Sequence, residues 1–208
     1  MRNILFFDIE TEVNPDAVDF IQVPSAPSNY KDPDKIAAYI AEKKAESLNT
    51  AALDADYGKI ISISMTEDIN AGITTIDLTT GKEVALINYF WERYAACKGI
   101  SCGYNIIGFD LPYLMRRSFA LGIKVPIVPF MAKYRTEPTI DLMGILYNWG
   151  PAKGLKWVCK RYGIDNPLPD LDGSQVKGMD AETLRAYSAN DVHLVVELYK
   201  KMQGVYFQ

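Results

Sequence analysis

The run from Asn3 to Ile9 is apolar on both faces until it meets Asp8, and Glu10 follows two residues later. A strand with apolar side chains on both sides must be covered on both sides. The pattern therefore predicts the central strand of a sheet with helices packed above and below it. Side chains two apart on a strand point the same way, so Asp8 and Glu10 share one face at the rim of a buried element. Two carboxylates that close disfavour each other's ionisation unless a cation lies between them.

The remaining segments supply the layers this strand requires. Residues 12 to about 57 read as an insertion. It is loop-like around Pro15, Pro24 and Pro27, and then helical from Pro33, where a proline suits the first turn. Strands are predicted at 58–66 and 72–78, joined by the turn-like Asp68-Ile69-Asn70-Ala71. An amphipathic helix at 82–97 places Val84, Ile87, Phe90, Trp91 and Tyr94 on one side. A short strand at 100–104, a helix at 110–121 with Pro112 in its first turn, and a strand at 139–142 follow. Helices at 154–162 and 181–202 complete the order, the second capped by Asp180. Antiparallel strands come first and parallel α/β units after them, so the fold class is α/β, a mixed sheet flanked by helices. The expectation is one domain over 1–208 with the insertion at about 12–57.

Composition narrows the chemistry. With 208 residues, 49% of them hydrophobic, the chain can bury an ample core. No uncharged stretch approaches the length a bilayer demands, and the apolar run at 4–7 is too short for a signal peptide, so neither a membrane span nor secretion is expected. Cys97, Cys102 and Cys159 are an odd number without paired spacing; they suit core positions in a reducing cytoplasm. One histidine, His193, and scattered cysteines exclude an ordinary zinc site, which leaves a hard cation held by oxygen as the metal to expect. The net charge of −4 argues against a broad basic surface for duplex binding, but not against a nuclease whose carboxylates contribute to the deficit.

Two further acids stand at positions that need an account. Asp110 stands where a helix begins, a position that capping alone would explain. On the last helix the apolar stripe runs Leu184, Tyr187, Asp191, Leu194 or Val195, then Leu198, so Asp191 takes a place that the helical period assigns to the buried face. No Lys or Arg shares that stripe, and a buried carboxylate without a basic partner points to a cation. Tyr187, four residues earlier, overhangs the same face. The plainer alternative is a core tyrosine hydrogen-bonded to a half-exposed aspartate.

Three motifs occur in a recognisable order: Asp8-Ile9-Glu10-Thr11, Asn105 through Phe109-Asp110, and Tyr187-Ser188-Ala189-Asn190-Asp191. In this the chain resembles the DEDD superfamily of 3′→5′ exonucleases. The likeness is to the proofreading exonuclease domains of family B DNA polymerases and their stand-alone relatives, in the branch with tyrosine in the third motif. His193 follows Asp191 by two residues, whereas the histidine branch places its histidine five before, where Ala186 stands. The resemblance extends over nearly the whole chain except the insertion, and includes residues 58–64, Lys153-Gly154-Leu155, 160–164 and 172–176.

The resemblance implies a ribonuclease H-like fold and hydrolysis of single-stranded nucleic acid, DNA favoured, from the 3′ end to 5′-mononucleotides. It implies two divalent cations, Mg²⁺ or Mn²⁺, held by Asp8, Glu10, Asp110 and Asp191. Asp8 would bridge both ions, Glu10 and Asp191 would complete the site that activates water, and Asp110 would serve the second ion. Tyr187 would orient the attacking water. Asn105 and Phe109 match positions that contact or stack on the terminal nucleotides, and Thr11 lies at the nucleotide pocket. Frayed 3′ ends are the expected partner, RNA is possible, and so is a replication or repair partner; no polymerase domain follows the third motif here, so proofreading in cis is not expected. Lys153, Lys156, Lys160 and Arg161 on one predicted helix meet phosphates or form a solvated face. Asp141 reads as a cap for the turn after it, and Trp91, Trp149 and Trp157 as core or interface residues. The alternatives are a catalytically silent binding module of the same fold and an exoribonuclease.

Overall fold

The computed structural model describes residues 3–207. They form two compact units, Met1–Glu10 with Ile60–Gln208, and Thr11–Lys59 between them.

The first unit is built on a five-stranded sheet. Its strands are β1 (Leu5–Val13), β2 (Gly58–Thr66), β3 (Thr74–Asp77), β4 (Ser101–Gly103) and β5 (Thr139–Asp141), in the order β3-β2-β1-β4-β5. β2 and β3 pair antiparallel with Ser62 opposite Asp77. β4 runs parallel to both β1 and β5, with Leu5 opposite Ser101 and Cys102 opposite Ile140. The strand read as central is central, and the antiparallel pair precedes the parallel part, as the sequence predicts. Leu5, Phe6 and Phe7 are fully buried; each such side chain contributes roughly 1.5–3 kcal/mol.

Helices cover both faces. They are α2 (Glu83–Ala96), α3 (Asp110–Ala120), α4 (Leu142–Leu146), α5 (Leu155–Arg161) and α6 (Ala181–Tyr206); α1 (Pro33–Thr50) belongs to the other unit. α2 buries Leu86, Ile87, Phe90, Trp91 and Tyr94. Val84, expected on that face, is exposed in the first turn and Leu86 takes part instead: Leu86 stands four residues before Phe90, on the same ridge. Phe90 packs tilted against Phe7, and the Trp91 indole N–H donates to Oγ of Ser118 at 2.9 Å. On the other side Phe6, Cys102, Ile140, Val158, Val192 and Val195 share a core with Tyr199 and Met202. α6 is buried nearly all round between Ser188 and Tyr199, wider than the stripe read from the sequence. All three cysteines are buried and free.

Several buried polar groups pair across elements. Arg117 on α3 makes a two-point ion pair with Glu83 (2.7 and 2.8 Å), and Glu83 also accepts from the Ile60 amide. Ser62 and Ser64 on β2 both reach Oγ of Ser188 on α6. Asp180 caps α6 by accepting from the Thr183 amide.

In the second unit, Asn14 caps a 3-10 turn over Pro15–Phe20, and the Asn14 amide donates to the Tyr57 carbonyl at 2.8 Å. α1 starts as predicted, with Pro33 in its first turn and Asp32 capping the Asp34 amide, and it buries no residue. Among the described residues, no helix is long and apolar enough to cross a membrane.

Candidate active site

In the middle of β1 the side chains alternate: Ile9 turns into the core while Asp8 and Glu10 face the other way. Asp8 is half-buried and Glu10 buried. The third acid arrives from α6. One carboxylate oxygen from each of Asp8, Glu10 and Asp191 lies within 4.8 Å of the others.

Asp110 joins them by a route its local sequence does not suggest. Phe109, not Asp110, is the N-cap of α3, and Oδ1 of Asp110 accepts from the backbone amide of Ile9 at 3.2 Å. That bond ties the start of α3 to the strand between the first two acids. The capping explanation is thus replaced by a contact 101 residues away in sequence.

Four carboxylates so placed resist ionisation. Burial, then the charges of Asp110, Glu10 and Asp191, push Asp8 well above the usual carboxylate range. Glu10 is pushed up to about 8, by burial first and then by Asp191 and Asp110. Burial lifts Asp110 to about 7 despite its bond from Ile9. Asp191 is also raised by burial, although Lys156 and Tyr187 act against it. Tyr187 is held far above its ordinary value, by burial and then by the negative charge of Asp191, Glu10 and Asp8. Its hydroxyl therefore keeps its proton and serves as a hydrogen-bond donor rather than a base. Ile61, Val176 and Leu184 pack around Tyr187 and fix its position.

The expectation that Asp191 lacks a basic partner is corrected. None lies on its own stripe, but Nζ of Lys156, from α5, stands 3.5 Å from Oδ1 of Asp191 and 4.2 Å from the centroid of the Tyr187 ring. The same ammonium donates to the Leu171 carbonyl at 2.6 Å. Lys156 flanks the cluster, and the three carboxylates still hold an oxygen each within 4.8 Å of one another. One ammonium beside four acids leaves most of their charge unbalanced. Oδ1 of Asp191 is moreover buried and accepts no hydrogen bond. An all-oxygen donor set with an unsatisfied buried acceptor fits hard divalent cations such as Mg²⁺ or Mn²⁺.

The second motif is shaped by a residue outside it. Asp141, at the end of β5, is buried; it caps α4 through the Met143 and Gly144 amides and accepts from the amides of Asn105 (3.0 Å) and Ile107 (3.0 Å). Its capping role is as read from the sequence; its hold on residues 105–107 is not. Asn105 adopts φ of +67°, a left-handed conformation that asparagine tolerates better than most residues. Its carbonyl accepts from the Gly108 and Phe109 amides. A Cβ at Gly108 would stand 2.4 Å from Oδ1 of Asn105, so this glycine leaves room for that side chain. Phe109 is half-buried against Tyr113.

Thr11 falls in the second unit. His193 lines a separate cavity of about 360 Å³ with Thr66, Asn70 and Glu197. Trp91 is buried and Trp149 half-buried, but Trp157 is exposed.

A family model described as a predicted 3′-5′ exonuclease related to the exonuclease domain of PolB matches residues 51–206, a span that holds Asp110, Tyr187 and Asp191 and follows Asp8 and Glu10. The family B DNA polymerase of the hyperthermophilic archaeon Pyrobaculum calidifontis superposes with a TM-score of 0.64 at 19% identity, over 97% of this chain and 24% of that one. The chain thus spans about a quarter of that polymerase, and the likeness is one of fold: the ribonuclease H-like mixed sheet expected from the sequence. No curated protein matches.

Proposed function

The chain belongs to the family of predicted 3′-5′ exonucleases related to the exonuclease domain of PolB, and from that premise we propose that it hydrolyses single-stranded nucleic acid, DNA in preference, from the 3′ end to 5′-mononucleotides. The observation that carries the reading is the convergence of Asp8, Glu10 and Asp191 within 4.8 Å, with Asp110 bonded to the strand between the first two.

In this reading Asp8, Glu10, Asp110 and Asp191 hold two divalent cations, Mg²⁺ or Mn²⁺. The chemistry such ions supply when bound is Lewis-acid polarisation at phosphorus and neutralisation of developing charge. The protein's own groups do the rest. Tyr187, kept protonated by its surroundings, donates to the attacking water and orients it. Asn105 and Phe109 hold the 3′-terminal nucleotide, Phe109 by stacking, which tolerates any base. The catalytic domain takes in the whole chain, with residues 12–57 as an insertion. The buried free thiols suit a reducing cytoplasm.

The test is incubation with Mg²⁺ or Mn²⁺ and 5′-labelled single strands of DNA and RNA. The expected result is a ladder shortening from the 3′ end of DNA, with 5′-mononucleotide release, abolished in Asp8→Ala. Strands that are bound but stay intact would make the protein a binding module, and a ladder on RNA alone would make it an exoribonuclease.

A further inference from the structure

α5 has two faces of opposite character. Val158 and Cys159 point into the core, whereas Lys153, Trp157, Lys160 and Arg161 lie in solvent. Trp157 leaves 51% of its surface open, unusual for the largest apolar side chain in the absence of a partner. Nζ of Lys153 stands 5.9 Å from the Trp157 ring centroid, and the Arg161 guanidinium stands 5.9 Å from that of Tyr162, itself 42% exposed. Trp157, Lys160 and Arg161 are three and four apart on α5 and share a face, and Lys153 and Tyr162 adjoin them from either end through these ring contacts. Residues 153–161 carry four cations and no acid in a chain whose net charge is −4. The helix that carries the patch also borders the carboxylates, because Lys156, one residue before Trp157, reaches Asp191.

We propose that Trp157, with Lys153, Lys160 and Arg161, is a stacking and phosphate-binding platform for a single-stranded stretch of nucleic acid lying 5′ of the phosphodiester at the carboxylates. This rests on the exonuclease reading of the neighbouring site. A flat ring framed by cations matches the alternation of base and phosphate along one strand: every base offers a π face, and every linkage carries a negative charge. A duplex, its bases stacked on each other, offers Trp157 no face to bind. The platform therefore selects for unpaired strand without reading sequence.

The experiment measures binding of a fluorescein-labelled oligothymidylate, about 12 nucleotides long, to the whole protein in EDTA. Affinity is read by anisotropy, and tryptophan emission is followed in parallel. Trp157→Ala is expected to weaken binding about tenfold, and Trp157→Phe to recover most of the loss. The oligonucleotide is expected to quench tryptophan emission in the wild type and not in Trp157→Phe. Replacing Lys160 and Arg161 by Gln should make the slope of log affinity against log salt shallower by about 0.7 for each phosphate that is no longer neutralised. Wild-type affinity in Trp157→Ala, or no binding by the wild type, overturns the platform. Trimming of the same strand by the wild type in Mn²⁺ is scored separately. A protein that trims but binds without Trp157 sinks the platform alone. One that binds through Trp157 but never trims sinks the exonuclease reading and leaves the platform standing.

Discussion

Nζ of Lys156 lies 3.5 Å from Oδ1 of Asp191, a contact between two helices that meet only in the folded protein. It places one positive charge against four carboxylates and lowers the pKa of Asp8, Glu10 and Asp191 relative to what burial alone would impose. Lys156→Met keeps the stem and removes the charge. Without divalent metal the variant should be about 1–2 kcal/mol less stable than the wild type at alkaline pH, less than for a fully buried pair because Lys156 is partly exposed. The gap should close in acid, where the carboxylates are neutral in both proteins. Urea unfolding in EDTA across pH measures it; a difference of constant size would show that the ammonium does not act through its charge.

The carboxylates also set the protein's own pH dependence. Glu10 moves from 4.5 to about 8 and Asp110 from 3.8 to about 7 on folding. Folded-state values above the unfolded ones mean the native protein binds more protons. Stability is then complete below the unfolded values and is lost as pH rises through about 7 to 8, by up to about 1.4 kcal/mol per pH unit for each proton concerned. Metal-free protein should accordingly melt lower at about pH 8 than at about pH 5, and Mg²⁺ or Mn²⁺ should raise the melting temperature most at the alkaline end. A flat or rising profile in EDTA would mean that the acids do not crowd one another.

How much of this was open to a reader of the sequence depends on the range of the interaction. The bounds of β2 and the start of α3 were legible, because apolar alternation and proline placement act over a few residues. The acids themselves were legible as motifs. Asp110 was misread when taken alone, since capping is decided within one turn but its actual bond comes from Ile9 on another element. Lys156 was missed as a partner of Asp191 because the stripe of α6 contains no information about α5. Asp141 was read as a cap, and is one, but its two further bonds depend on how β5 lies beside β4. The five-residue α4 was too short for any period to show.

Asp141 yields a prediction that separates scaffold from chemistry. Its carboxylate accepts from four backbone amides, those of Asn105, Ile107, Met143 and Gly144. Asp141→Ala leaves buried donors unpaired and uncaps α4, and should cost about 3 kcal/mol or more. Amide exchange at Asn105 and Ile107 should accelerate well beyond that of β2 if the loop loosens locally. Uniform acceleration across the sheet would instead mean that Asp141 acts only on global stability.

Asn105 offers the converse case. At φ of +67° its backbone is strained for a side chain that serves only the fold, and glycine would relieve that strain. Asn105→Gly also frees the chain in the unfolded state, which offsets the relief, so stability should stay within about 0.5 kcal/mol of the wild type. If the side chain holds the terminal nucleotide, the same variant should raise KM for a single strand about tenfold or more and leave kcat less affected, as expected when binding common to ground and transition states is removed. Gly108→Ala approaches the same contact from the other side, because its added Cβ would stand 2.4 Å from Oδ1 of Asn105 and displace it. Parallel losses in both variants, with melting temperatures near the wild type, would place the asparagine in substrate binding. Full activity in Asn105→Gly would show that the left-handed turn matters and its side chain does not.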